Sequence, residues 1–125
     1  MIRRLAAVLL LGASLAAPAL AQQDPGWVPK NTAKLQALDK VTARVTVLDV
    51  PLNQPFRFGT LQILVRACNA RPPDEVPDAA AWLQVMETRQ DPNGVSVFQG
   101  WMFANAPGVS MLEHPVYDLR VLDCH

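Results

Sequence analysis

Along much of this chain, apolar side chains recur at every second position, and that spacing constrains the fold more than any other feature. Successive strand residues point to opposite faces of a sheet, so a period of two places one apolar face against a core. Val41, Ala43, Val45 and Val47 alternate with Thr42, Arg44 and Thr46, which predicts a half-buried strand. Leu61, Ile63, Val65 and Ala67 form a second, entered through Phe56-Arg57-Phe58-Gly59. Tyr117, Leu119 and Val121 share one face of a last strand from Val116 to about Cys124, with Asp118, Arg120 and Leu122 on the other. Trp82–Arg89 and Val95–Phe103 flank Asp91-Pro92-Asn93-Gly94, where Asn-Gly supplies the positive dihedrals of a tight hairpin.

The joints agree with strands. Pro51 and Pro55 bracket a turn, and Ala106-Pro107-Gly108 breaks the chain again. Arg71-Pro72-Pro73-Asp74-Glu75-Val76-Pro77 cannot pair as a central strand. The expected fold is all-β, a small antiparallel sandwich or partly closed barrel of about 5–7 strands with little helix. Residues 22–37 read as a flexible leader holding Pro25, Gly26 and Pro29, with Trp27 docking on the domain and one or two helical turns over Asn31–Leu38. Residues 38–125 then form a single β domain.

The amino terminus carries an address. Arg3 and Arg4 precede an apolar run, Leu5–Leu11, and the segment closes on Ala19-Leu20-Ala21 after Pro18. A charged start, a short apolar middle and a small-x-small end make a cleavable signal peptide over 1–21, with scission after Ala21 and a periplasmic destination. The apolar run is shorter than the roughly 20 residues of a membrane span, so no permanent anchor is expected. Losing Arg3 and Arg4 leaves nine basic residues against eleven acidic ones. With no basic stripe to meet phosphates, nucleic acid is excluded as a partner.

Export bears on Cys68 and Cys124, the two cysteines of the chain. An oxidising compartment and an even count favour a disulfide between them, over a reactive thiol or a metal pair. Strand parity sets Cys68 with Gln62 and Arg66, and Cys124 with Asp118 and Arg120. In unbulged strands both sulfurs then lie on the wetter side of a sheet.

Chemistry-bearing residues are sparse. Glu113, His114, Asp118, Asp123 and His125 gather near the carboxyl end. A hydrolase would use His114 as base, Asp118 or Glu113 to orient it, and Ser110 or Ser96 as nucleophile. No Gly-x-Ser-x-Gly elbow supports that arrangement. Neither His114, Asp118 and His125 nor the loop acids Asp74, Glu75 and Asp78 have metal-ligand spacing, so no metal or cofactor is expected. Aromatic side chains are the stronger lead. In Gly100-Trp101-Met102-Phe103, Trp101 and Phe103 share one strand face and Met102 takes the other. One face belongs to the core, and the other is covered or left as a contact patch. Arg71, Trp82, Trp101 and Phe103 are therefore the candidate contact surface, for an envelope protein partner or, alternatively, a small ligand or glycan stacked on tryptophan beside Arg66 or Arg120.

Taken in order, Phe58-Gly59-Thr60-Leu61, Val65-Arg66-Ala67-Cys68, Arg71-Pro72-Pro73, Gly100-Trp101-Met102-Phe103-Ala104, Leu112-Glu113-His114-Pro115-Val116-Tyr117-Asp118 and Asp123-Cys124 resemble the bacterial exported family catalogued as domain of unknown function 2155. The resemblance runs from about Leu38 onward and omits His125. It implies an exported envelope protein without an assigned activity, and it supplies no catalytic residue.

Overall fold

Eight strands make two antiparallel sheets stacked face to face, in a computed structural model that describes residues 12–14 and 26–125. The first sheet holds β1 (Val28–Pro29), β4 (Phe56–Phe58), β5 (Leu61–Ala70), β6 (Ala79–Glu87) and β7 (Val95–Phe103). Its order is β1-β5-β6-β7, with β4 pairing β5 on the edge that β1 also uses. The second sheet is β3-β2-β8, built from β2 (Thr32–Asp39), β3 (Arg44–Pro51) and β8 (Tyr117–Cys124). The barrel alternative gives way to the sandwich: the sheets remain separate, and a single 3-10 turn at Pro107–Val109 is the helical element among the described residues. Apart from residues 12–14, the expected signal peptide lies outside the described residues.

The core fills from both inner faces. Leu61, Ile63 and Val65 of β5 and Ala81, Leu83 and Val85 of β6 meet Ala33, Leu35 and Ala37 of β2, Leu48 and Val50 of β3, and Leu119 and Val121 of β8. The helical turns expected over Asn31–Leu38 are corrected here, as is the flexible leader over its described residues, 26–37. Chain pairing starts at Val28, and Thr32–Asp39 is the central strand of the second sheet, bonded on both sides. Ala33, Leu35 and Ala37 alternate with Lys34 and Gln36, a period of two that a weak helical cap signal does not override. Trp27 does dock: the Arg71 guanidinium lies over its ring at 4.1 Å.

Register also corrects β3. Ala33 pairs with Val50 and Leu35 with Leu48, and directly opposed residues share a face. Leu48 and Val50 therefore turn inward, while Val45 and Val47 face water at 56% and 51% exposure. Val41 and Ala43 sit in the preceding turn, with Ala43 at φ 58. Asp39 holds that turn by accepting hydrogen bonds from the Val41 and Thr42 amides.

Two bulges redirect the cysteines. Inward positions run Leu61, Ile63, Val65 and then Cys68 and Ala70, because the β5–β6 register slips between Val65 and Ala67. On β8 they run Leu119, Val121 and then Cys124, because the register with β2 slips at Lys34/Leu35. One extra residue exchanges the faces of everything after it. Cys68 and Cys124 are thus buried, at 1% and 3% exposure, and their disulfide crosses the core from one sheet to the other. The expectation of a bridge on the wetter side fails, since it required unbulged strands.

The hairpin joining β6 to β7 is present but not as a two-residue turn. Glu87 pairs with Val95, leaving residues 88–94 as the loop. Of Asn93 and Gly94 only Gly94, at φ 82, turns left-handed. The Gly94 amide bonds the Asp91 carbonyl at 2.8 Å, and the Asp91 carboxylate accepts from the Asn93 amide at 2.9 Å.

Candidate functional site

At one end of the sandwich, a histidine ties the two sheets together. His114 lies in the connection entering β8, and its Nε2 is 2.6 Å from the Glu87 carboxylate at the end of β6. Its Nδ1 accepts from the Val116 amide at 3.0 Å and the Tyr117 amide at 3.1 Å. Two donors pointing at Nδ1 leave no proton there, so Nε2 carries the hydrogen and donates it to Glu87. The imidazole is tilted against the Tyr117 ring at 5.2 Å, and Phe58 meets that ring edge-on at 5.5 Å. Gly59, at φ 56, passes so close to the Tyr117 phenol that any Cβ would collide with it. Lys40 completes the cluster by donating from Nζ to the His114 carbonyl at 2.8 Å.

Burial alone would push the Glu87 carboxyl up. Hydrogen bonding from the Thr60 side chain, from His114 and from the Arg89 amide outweighs it, together with the charge interaction with His114, and holds the group below the ordinary carboxylate range. Both imidazole nitrogens are committed, to a carboxylate and to backbone. This arrangement braces a strand entrance. It leaves His114 no lone pair with which to take a proton from a nucleophile.

A second constellation lies on the outward face of the first sheet. Trp82 and Trp101 are directly opposed on β6 and β7, which places both indoles on the same side. Leu83 and Met102, their neighbours in sequence, are buried. Trp101 is 40% exposed and Trp82 half-buried. The next row along the strands is Leu64, Gln84 and Gln99, and the one after is Gln62, Met86 and Ser96. These two rows and Asn93 line an open cleft of about 360 Å³. On the other side of the tryptophans, Phe103 is half-buried over Ala80.

Comparison with known proteins places the chain. A family model described as "Uncharacterized protein conserved in bacteria (DUF2155)" matches residues 33–124. The chain belongs to this family. A similar member is uncharacterized protein RP359 of Rickettsia prowazekii (strain Madrid E), 28% identical over 94 residues, or 75% of this chain and 61% of that protein. The chain thus spans less than two thirds of that relative's length. No solved structure matches it. The DUF2155 match starts five residues before Leu38 and so takes in most of central strand β2.

Among the residues expected to carry function in this DUF2155 member, some come together and others part. Trp101 and Phe103 share the outward face, as strand parity required, and the β6–β7 register brings Trp82 to the same side. Arg71 is occupied at the sheet's end, over Trp27 and 3.9 Å from Glu75. Arg66 sits on the β5 bulge and bonds Asn53 at 3.3 Å, whereas Arg120 belongs to the other sheet. The polar cluster comes apart: Glu113 is exposed, Asp118 pairs with Leu38 on β2, and His125 lies 3.8 Å from Asp49. Neither acid orients His114; Glu87 does. Glu87 is 27 positions away along the chain, and no local spacing announces such a pair. Ser96 and Ser110 make no hydrogen bond to His114 among the described residues. Gln84 and Gln99 escaped sequence reasoning too, although each lies two residues from a tryptophan on its own strand, while Gln62, on β5, joins them only through the register with β6.

Proposed function

We propose that this protein is an exported, non-enzymatic module of the bacterial envelope that engages another envelope component through the outward face of its first sheet. The observation that carries the reading is the Trp82–Trp101 pair. A domain this small gains most by burying its tryptophans, yet here two stand side by side on a sheet face with Trp101 exposed. Exposed aromatic clusters mark contact surfaces. The buried Cys68–Cys124 pairing supports an oxidising destination and stabilises the sandwich by linking its two sheets. A small-ligand reading is favoured by the cleft beside the tryptophans.

Photo-crosslinking in intact envelopes from a probe at position 99, with Trp101→Ala as control, tests the surface. A discrete adduct that vanishes in the variant is expected. An identical adduct pattern in both would refute the assignment. Fractionation with amino-terminal sequencing tests export, and the expected mature terminus is Gln22.

A further inference from the structure

We propose that the outward face of the first sheet binds a neutral glycan strand, laid along the sheet from Trp82 and Trp101 across Gln84, Gln99 and Gln62. This deepens, and rests on, the reading of that face as the contact surface. A pyranose ring presents a flat patch of C–H bonds on its face and hydroxyls around its rim. Its binding site needs a rigid aromatic surface for the first, and groups that both donate and accept for the second. The tryptophans supply the former and carboxamides the latter. The side chains of Gln62, Gln84 and Gln99 make no hydrogen bond among the described residues, so their donors and acceptors are open to a ligand.

Charge narrows the ligand class. The cleft is lined by Gln62, Leu64, Gln84, Met86, Asn93, Ser96 and Gln99, none of them ionisable. The cation on this face is Arg57, paired with Gln62 at the far end of the track, so an anionic ligand lying over the tryptophans and Gln84 would lose its hydration there without gaining a counter-charge beside it. A sugar's hydroxyls exchange water for amides at little loss. Geometry points the same way. Alternate residues on a strand are about 6.7 Å apart, so the tryptophan row and the two rows beyond it span about 13 Å. That is an elongated track suited to consecutive rings of an extended chain. All of these groups except Asn93 sit on hydrogen-bonded strands, so little ordering is lost on binding.

The test is titration of the purified, oxidised protein with two soluble probes, the β-1,4-linked tetrasaccharide of N-acetylglucosamine and cellotetraose, read by two-dimensional NMR and tryptophan fluorescence. With at least one probe, saturable shifts are expected at the indole N–H of Trp82 and Trp101 and at the side-chain amides of Gln84 and Gln99. Trp101→Ala should weaken binding roughly tenfold or more. Gln84→Ala and Gln99→Ala, which leave the aromatic pair intact, should weaken it severalfold. Val45→Thr on the other sheet should change nothing. No saturable response to either probe up to roughly 10 mM, well above a 1 mM Kd worth about 4 kcal/mol, overturns the proposal. So does binding indifferent to Trp101→Ala. If neither tetrasaccharide binds while the Trp101-dependent adduct persists in envelopes, the glycan fails and the contact surface stands with a protein as partner; loss of both refutes both.

Discussion

Replacing His114 by alanine should unlatch one end of the sandwich. The imidazole satisfies the Val116 and Tyr117 amides and gives Glu87 one of its donors, at 3.0, 3.1 and 2.6 Å. Each group orphaned away from water costs about 1–3 kcal/mol. The His114 and Glu87 side chains are 9% and 18% exposed, so water relieves the loss only in part. Low-end costs for the two amides give about 2 kcal/mol, and the donor lost to Glu87 together with lost packing on Tyr117 raises the total to about 3. Against the roughly 5–15 kcal/mol of a small domain this is a large fraction. At about 4 °C or more per kcal/mol, Tm should fall by at least about 12 °C. Urea and thermal unfolding read the size of the effect. Two further variants separate its parts: the Asn carbonyl of His114→Asn stands near Nδ1 and keeps the amide contacts, whereas His114→Gln reaches only toward Glu87. Asn should therefore lose less than Gln. Nitrogen-15 NMR of the ring should show hydrogen on Nε2. A loss below about 1 kcal/mol in His114→Ala, or hydrogen on Nδ1, would refute the reasoning.

Glu87 adds a pH dependence of known sign. Its folded carboxyl lies below the ordinary value of 4.5, so its contribution is complete above that value and is lost as pH falls towards the folded one; Glu87→Gln should flatten this acid limb in urea midpoints measured across pH. Cys68 and Cys124 are separated by 56 positions, for which loop-closure entropy gives about 4 kcal/mol. The double alanine variant should lose up to about that much, with a larger denaturant slope from a more expanded unfolded chain, and a loss under about 1 kcal/mol would contradict it. Gly59→Ala meets both a left-handed φ of 56 and the Tyr117 phenol; it should cost about 2 kcal/mol or more, while Gly108→Ala, with nothing within 4 Å, should stay within about 0.5.

What could be read from the chain followed from local periodicity. Leu61-x-Ile63-x-Val65 and Leu119-x-Val121 stated both strand and inward face, and the Trp101/Phe103 against Met102 parity separated the outward face from the core. The same rule failed for Val45 and Val47, because a two-sided apolar segment does not say which side is inward until a partner strand sets the register. It failed for Cys68 and Cys124 because a bulge is a property of a pair of strands. His114 was visible as a residue and invisible as a contact, since its carboxylate partner belongs to another strand.

The sequence by itself thus determined the strand-rich class, the pairing partners available to two cysteines, and the two-faced character of the Trp101 segment, all of which depend on side-chain type and a spacing of one or two residues. Tertiary structure alone decided that the disulfide runs through the core, that Glu87 rather than Glu113 or Asp118 holds His114, and that three glutamines line up beside the tryptophans. Each of those depends on register between strands distant along the chain. Register is set by the summed burial of two facing sheets, and a single inserted residue reverses the side on which every later side chain lies.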